Sequence, residues 1–113
     1  MHEMSIAQSV LDIVGEYMAK ENGRILKEVV VEVGELTAVV PDSLAFCYEA
    51  LVENSNYKDS KICINIIPLM GRCLKCRHSF KIKNFEFHCP DCQSSNIDVM
   101  GGEELRISHL EVE

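Results

Sequence analysis

The chain has 113 residues, enough for one domain with a small satellite, and 47% of them are hydrophobic. Its formal net charge of −7 argues against general binding to nucleic acid or to an anionic membrane surface and suits specific partners. No apolar run approaches the roughly 18 residues of a membrane span. Glu3, Asp12 and Glu16 interrupt the apolar pattern that a secretory signal needs, so the cytoplasm is the expected location.

From Met4, the residues Ala7, Val10, Leu11, Val14, Tyr17 and Met18 recur at helical spacing, with Ile6 and Ile13 widening the stripe. Ser5 is the expected N-cap and Gly23 the stop, which predicts a helix over residues 5–22. Between Leu26 and Val33, the residues Val29, Val31 and Val33 alternate with Glu28, Val30 and Glu32, the pattern of a strand with one polar face. Residues 34–40 read as a loop. Pro41 sits at a typical first helical position with Asp42 beside it. Leu44, Cys47, Tyr48 and Leu51 then predict a second helix over about residues 41–54.

Lys61 to Leu69 alternates again, with Ile62, Ile64 and Ile66 on one face and Pro68 and Gly71 closing the strand. After the pair Gly101-Gly102, residues 104–112 form a last strand. Leu105 and Ile107 there are out of phase with Leu110 and Val112, so a bulge is expected near His109. Cys47 and Cys63 fall in apolar patterns and read as small core residues, and His109 as structural. The expected fold class is α+β: a small three-stranded mixed sheet covered by two helices, with an inserted zinc-ribbon subdomain. The expected division is residues 1–70 with 98–113 as one unit and residues 71–97 as the ribbon.

That ribbon carries the strongest signal in the chain. Cys73, Cys76, Cys89 and Cys92 are spaced C-x2-C-x12-C-x2-C. Each pair forms a tight knuckle, and two knuckles make a four-sulfur cage, the preferred arrangement for structural Zn(II). Four thiolates leave the metal no open position, so the site is expected to be structural. A rubredoxin-type iron site shares this geometry. Two disulfides would use the same cysteines, but they do not suit the cytosol. Arg72, Lys75, Arg77, Lys81 and Lys83 lie on or near the knuckles and read as counter-charge to the thiolates rather than as a nucleic-acid patch.

The first three residues form a second constellation. The α-amine, the His2 amide and the His2 imidazole can chelate one metal in fused rings, and Glu3 can add its amide or carboxylate. Nitrogen-rich, near-planar sites suit Ni(II) or Cu(II). The bland alternative is a polar chain end. His2 is too large for the usual removal of the initiator Met1, so the methionine is expected to stay.

The start MHEMSIAQS, the strand VVVEVGEL, the segment PDSLAFCYEAL, the C-x2-C…C-P-x-C ribbon and the ending GGEELRISHLEVE together resemble the HypA/HybF family of hydrogenase nickel-incorporation proteins. The resemblance runs essentially end to end. It implies a nickel metallochaperone in which Met1, His2 and Glu3 carry Ni(II) and Cys73, Cys76, Cys89 and Cys92 hold Zn(II). It further implies delivery of nickel to the large subunit of a [NiFe]-hydrogenase, with a HypB-type GTPase as partner. Some members also serve urease maturation. In some members a histidine follows each knuckle and enters the zinc site as pH changes. Here His78 lies two positions after Cys76, Gln93 follows Cys92, and His88 precedes its knuckle, so exchange at both knuckles is not expected. No constellation for nucleophilic or acid–base catalysis and no glycine-rich phosphate loop stands out, so no enzyme is expected. The alternative reading is a zinc-ribbon protein–protein adaptor with no transferable metal.

Overall fold

The structure, a computed structural model, describes residues 3–113. Met1 and His2, the first two positions of the expected nickel chelate, lie outside the described residues.

The first helix, α1, spans Glu3–Met18 and already runs at Glu3, two residues before the expected cap. It buries Ile6, Ala7, Val10 and Val14. It stops four residues earlier than the stripe-plus-glycine reading. Met18 is the last apolar residue with a core to meet; the Ala19 amide still bonds to the Gly15 carbonyl, but those of Lys20 and Glu21 reach only three residues back, to Tyr17 and Met18. Gly23 closes the following turn with φ +75°. Strand β1, Leu26–Gly34, then enters the core. The expected loop after it contains a short 3-10 helix at Glu35–Thr37. Helix α2, Pro41–Val52, starts with proline in its first turn and ends where its apolar spacing ends. The Ser55 hydroxyl donates to the Val52 carbonyl at 2.8 Å, covering the exposed helix end.

Strand β2, Lys61–Ile67, lies parallel to β1, with α2 as the crossover between them. The last strand, β6 (Leu105–Val112), runs antiparallel on the other side of β1. The order β2-β1-β6 is the expected three-stranded mixed sheet. Val29, Val31 and Val33 meet both helices on one face. Val30 is also buried, but on the opposite side, between its register partners Cys63 and His109. Cys63 therefore faces away from the helix-covered core, which corrects its reading as a core residue; the two-residue period that sends Ile62 and Ile64 inward sends Cys63 out. Cys47 does pack against the core.

The expected bulge is present. Val31 pairs with Ile107 and Val30 with His109, so Ser108 has no partner of its own. This extra residue resets the side-chain phase. As a result Ile107, Leu110 and Val112 all pack on the same core.

Tyr48 is fully buried. Its hydroxyl lies 2.6 Å from Ser60 Oγ, and Ser60 donates its one hydrogen to the Tyr57 carbonyl at 2.5 Å. Tyr48 must therefore be the donor in the pair, and burial raises its pKa. Ser60→Ala strands the phenol without an acceptor and is expected to cost about 1–3 kcal/mol. Tyr48→Phe leaves Ser60 bonded to Tyr57 and should cost less. Urea unfolding of the two variants orders them, and the reverse order would refute this assignment.

Between β2 and β6 the chain forms a second sheet from three short antiparallel strands: β3 (Met70–Cys73), β4 (Ser79–Lys81) and β5 (Ile97–Gly101), ordered β4-β3-β5. Gly71, expected to end β2, lies inside β3. Leu69, Phe80, Ile82 and two of the cysteines form a separate small core, which Leu36 of the 3-10 helix joins. The molecule is long and narrow, 56 × 23 × 16 Å. No helix among the described residues is long and apolar enough to cross a membrane.

The two sheets meet at a tight junction. The Gly34 amide donates to the Glu104 carbonyl at 2.6 Å, and the Leu36 amide to the Gly102 carbonyl at 2.8 Å. Two carboxylates complete it: Glu35 accepts from the Leu69 amide at 2.9 Å, and Glu104 from the Gly102 amide at 2.7 Å.

Candidate metal centre

Both knuckles are built the same way. The Cys73 sulfur accepts from the amides of Lys75 and Cys76, each at 3.4 Å. The Cys89 sulfur accepts from Asp91 at 3.4 Å and Cys92 at 3.5 Å. The residue after each second cysteine, Arg77 or Gln93, is left-handed with φ 64°. Its amide returns to the carbonyl of the first cysteine at 2.9 Å in both cases. Each chain reversal thus points two sulfurs at one centre. Strand β3 ends in Cys73, and the segment between β4 and β5 carries the second pair back over it.

The four sulfurs lie within 4.8 Å of one another. Cys73 and Cys92 are 3.5 Å apart, as are Cys76 and Cys89. None is disulfide-bonded. A tetrahedron with metal–sulfur bonds of about 2.3 Å has edges of roughly 3.8 Å, so the cage fits a tetrathiolate metal with little adjustment. Its charges also call for one. The Cys76 and Lys75 amides lower the Cys73 thiol to about 6. The His78 amide favours a Cys76 thiolate too, but hydrogen bonding to Cys89, burial and Cys73 outweigh it and push Cys76 up to about 12. Without a metal the cage accepts one negative charge and resists the next. A divalent cation at the centre removes that resistance, and its binding releases protons.

Neither knuckle-flanking histidine is in the sulfur group. His78 is exposed; its Nδ1 lies 3.5 Å from Asp91 Oδ2 and its ring stacks on Phe80 at 6.1 Å. It therefore links one knuckle to the other from outside. His88 is exposed in a groove with Lys81, Lys83 and Glu86. His109 is exposed on β6 beside Ser108, 3.2 Å from its hydroxyl.

Of the terminal constellation, Glu3 alone is described. It opens α1, and its carboxylate accepts from the Val40 amide at 3.3 Å, tying the helix start to the entry of α2. Glu3, Met4, Asp42, Ser43, Phe46 and Cys47 line a shallow hollow there. The junction carboxylates Glu35 and Glu104 were not expected from the sequence. The nearby Gly34 and Gly101-Gly102 were the available signal, since glycine marks close backbone approach.

An α/β body with an inserted four-cysteine ribbon defines a small metal-binding protein whose described residues form a tetrathiolate site, with Cys73 and Cys89 buried and Cys76 exposed. The family described as "Hydrogenase/urease nickel incorporation, metallochaperone, hypA" matches residues 1–112. The chain belongs to this HypA family. It is 39% identical over 113 residues to the hydrogenase maturation factor HypA of Geotalea uraniireducens strain Rf4, covering 100% of both chains. It is 38% identical over 113 residues to that of Geobacter sulfurreducens, again covering 100% of both. Among solved structures, a HypA protein solution structure matches with a TM-score of 0.73 at 29% identity, covering 100% of this chain and 97% of that one. The solution structure of the Ni metallochaperone HypA from Helicobacter pylori matches with a TM-score of 0.66 at 29% identity, covering 98% and 97%.

Proposed function

We propose that this chain is a non-enzymatic nickel metallochaperone in the maturation of [NiFe]-hydrogenase, acting in the cytoplasm. It takes up Ni(II) at its N-terminus and delivers it towards the hydrogenase large subunit, with a HypB-type GTPase in the pathway. The observation that carries this reading is the family match over residues 1–112, which includes the first three residues.

In this reading the Met1 α-amine, the His2 amide and imidazole, and Glu3 hold the nickel. Such a nitrogen-rich set suits Ni(II), and ligands at a chain end can be reached by a competing partner. Cys73, Cys76, Cys89 and Cys92 hold Zn(II), which supplies cross-linking and no chemistry, because four thiolates leave no open position. The body around β1 acts as the nickel-binding unit and the β4-β3-β5 sheet with its cysteines as the ribbon, which extends the expected 71–97 to residues 70–101 because β5 pairs with β3 as far as Gly101.

His2→Ala is expected to abolish high-affinity nickel binding and to leave the zinc content at one equivalent. Isothermal titration with nickel and metal analysis of the same sample check both parts. Equal nickel affinity in the variant would overturn the assignment.

A further inference from the structure

The turn that leads from β4 to the second knuckle is held in a conformation that its sequence does not favour. The Glu86 amide bonds to the Lys83 carbonyl at 3.0 Å, and the two residues between them, Asn84 and Phe85, have φ 53° and 56°. Two successive left-handed residues make a mirror-image turn, whose usual sequence is Asn-Gly. Asn84 suits its place. Phe85 does not, since a bulky residue there is strained against its own backbone. The strain is not offset by burial: Phe85 is 57% exposed, and nearby Phe87 is 37% exposed.

Charge singles out the same region. Residues 70–101 hold five of the chain's 11 Lys and Arg but only three of its 18 Asp and Glu. Among the described residues, none of Arg72, Lys75, Arg77, Lys81 and Lys83 lies within ion-pair distance of a carboxylate. Lys81 and Lys83 line hollows on both sides of the turn, one with Phe85 and one with His88 and Pro90. The ribbon therefore offers an exposed aromatic knob between free cations on an otherwise acidic molecule. Strain retained without a packing gain is a mark of function.

We infer that the turn Lys83–Phe87 is a docking finger for an acidic segment of another protein. Phe85 is its apolar anchor, and Lys81 and Lys83 take the partner's carboxylates. The acidic remainder of the chain keeps nucleic acid away from the same cations, which favours a protein partner. This inference rests on the ribbon alone and stands apart from the nickel reading.

The test uses the metal-loaded full chain and a synthetic peptide with two glutamates on either side of a Leu-Phe pair. Amide shifts in a titration should change at residues 81–87 and the neighbouring Glu35 and Leu69, and the binding should weaken as salt rises. Phe85→Gly should reduce the affinity by about tenfold or more. The same variant should leave Tm unchanged or higher, because glycine relaxes the left-handed turn. A paired Lys81→Glu and Lys83→Glu variant should also lose the peptide. The inference is overturned if the peptide does not bind or shifts residues elsewhere. It is equally overturned if Phe85→Gly lowers Tm, which would make Phe85 a packing residue. An oligothymidylate that binds as well as the peptide, with or without Phe85, would assign the cations to phosphate.

Discussion

Removing the ribbon metal is expected to unfold residues 70–101 and to leave the α/β body folded. The ribbon's own core is small: Leu69, Phe80 and Ile82 with the two buried cysteines, and Leu36, Ile97 and Val99 partly buried against them. Three buried apolar side chains supply about 1.5–3 kcal/mol each. A structural metal supplies about 10–16 kcal/mol. The strands offer little beyond this, since β3, β4 and β5 have 4, 3 and 5 residues. The body keeps its own core, in which both helices close over β1. With a chelator, amide resonances of residues 70–101 should collapse to unfolded positions while those of α1, α2 and β1 stay dispersed. Replacing Cys89 with Ser should give the same spectrum without a chelator. A ribbon that keeps its resonances when metal-free would show that the small core suffices. Simultaneous loss of both regions would show that they fold as one unit.

The second large effect is expected at the junction. A Cβ on Gly34 would lie 2.1 Å from the Gly102 oxygen, 2.2 Å from its carbon and 2.6 Å from the Glu103 nitrogen. All three are backbone atoms, so no flexible side chain can swing aside. Gly34→Ala must push the strand apart from residues 102–104 and stretch the two amide bonds that Gly34 and Leu36 make there. The expected cost is about 3 kcal/mol or more. Gly102→Ala should be at least as severe. Its φ is +110°, a region that side chains rarely enter, and its Cβ would lie 2.6 Å from the Leu69 Cα. Urea unfolding measures both, and a loss under about 1 kcal/mol for Gly34→Ala would contradict the packing described. The junction matters to function because, among the described residues, both chain connections between the α/β body and the ribbon, β2 to β3 and β5 to β6, run through it.

Much of this architecture was legible because it rests on periodicity. Val29, Val31 and Val33 announced one face of a central strand, and the change of phase between Ile107 and Leu110 announced the bulge. The four cysteines announced the cage, because knuckle spacing is local geometry. Other features depend on tertiary contacts that no local pattern encodes. The 3-10 helix at Glu35–Thr37 exists where Leu36 reaches the ribbon core and Glu35 reaches the Leu69 amide. Helix α1 ends at Met18 because nothing beyond it has a surface to cover. The ribbon strands are too short for alternation to show. The turn at Asn84 and Phe85 gave no turn signal, since phenylalanine stands where glycine belongs. The proposed terminal chelate rests on the donor chemistry of Met1, His2 and Glu3, and its assignment to nickel on the family resemblance.

The central claim is that nickel is held at the chain terminus, and a paired nickel titration tests it most directly. One sample is the zinc-loaded protein with its native N-terminus; the other carries a few extra residues before Met1. The extension removes the α-amine from the chelate and leaves every side chain in place. The account predicts tight nickel binding to the native protein and a loss of about a hundredfold or more in the extended one, as a fused-ring ligand is removed. Equal binding by both would contradict it and place the nickel on side chains alone.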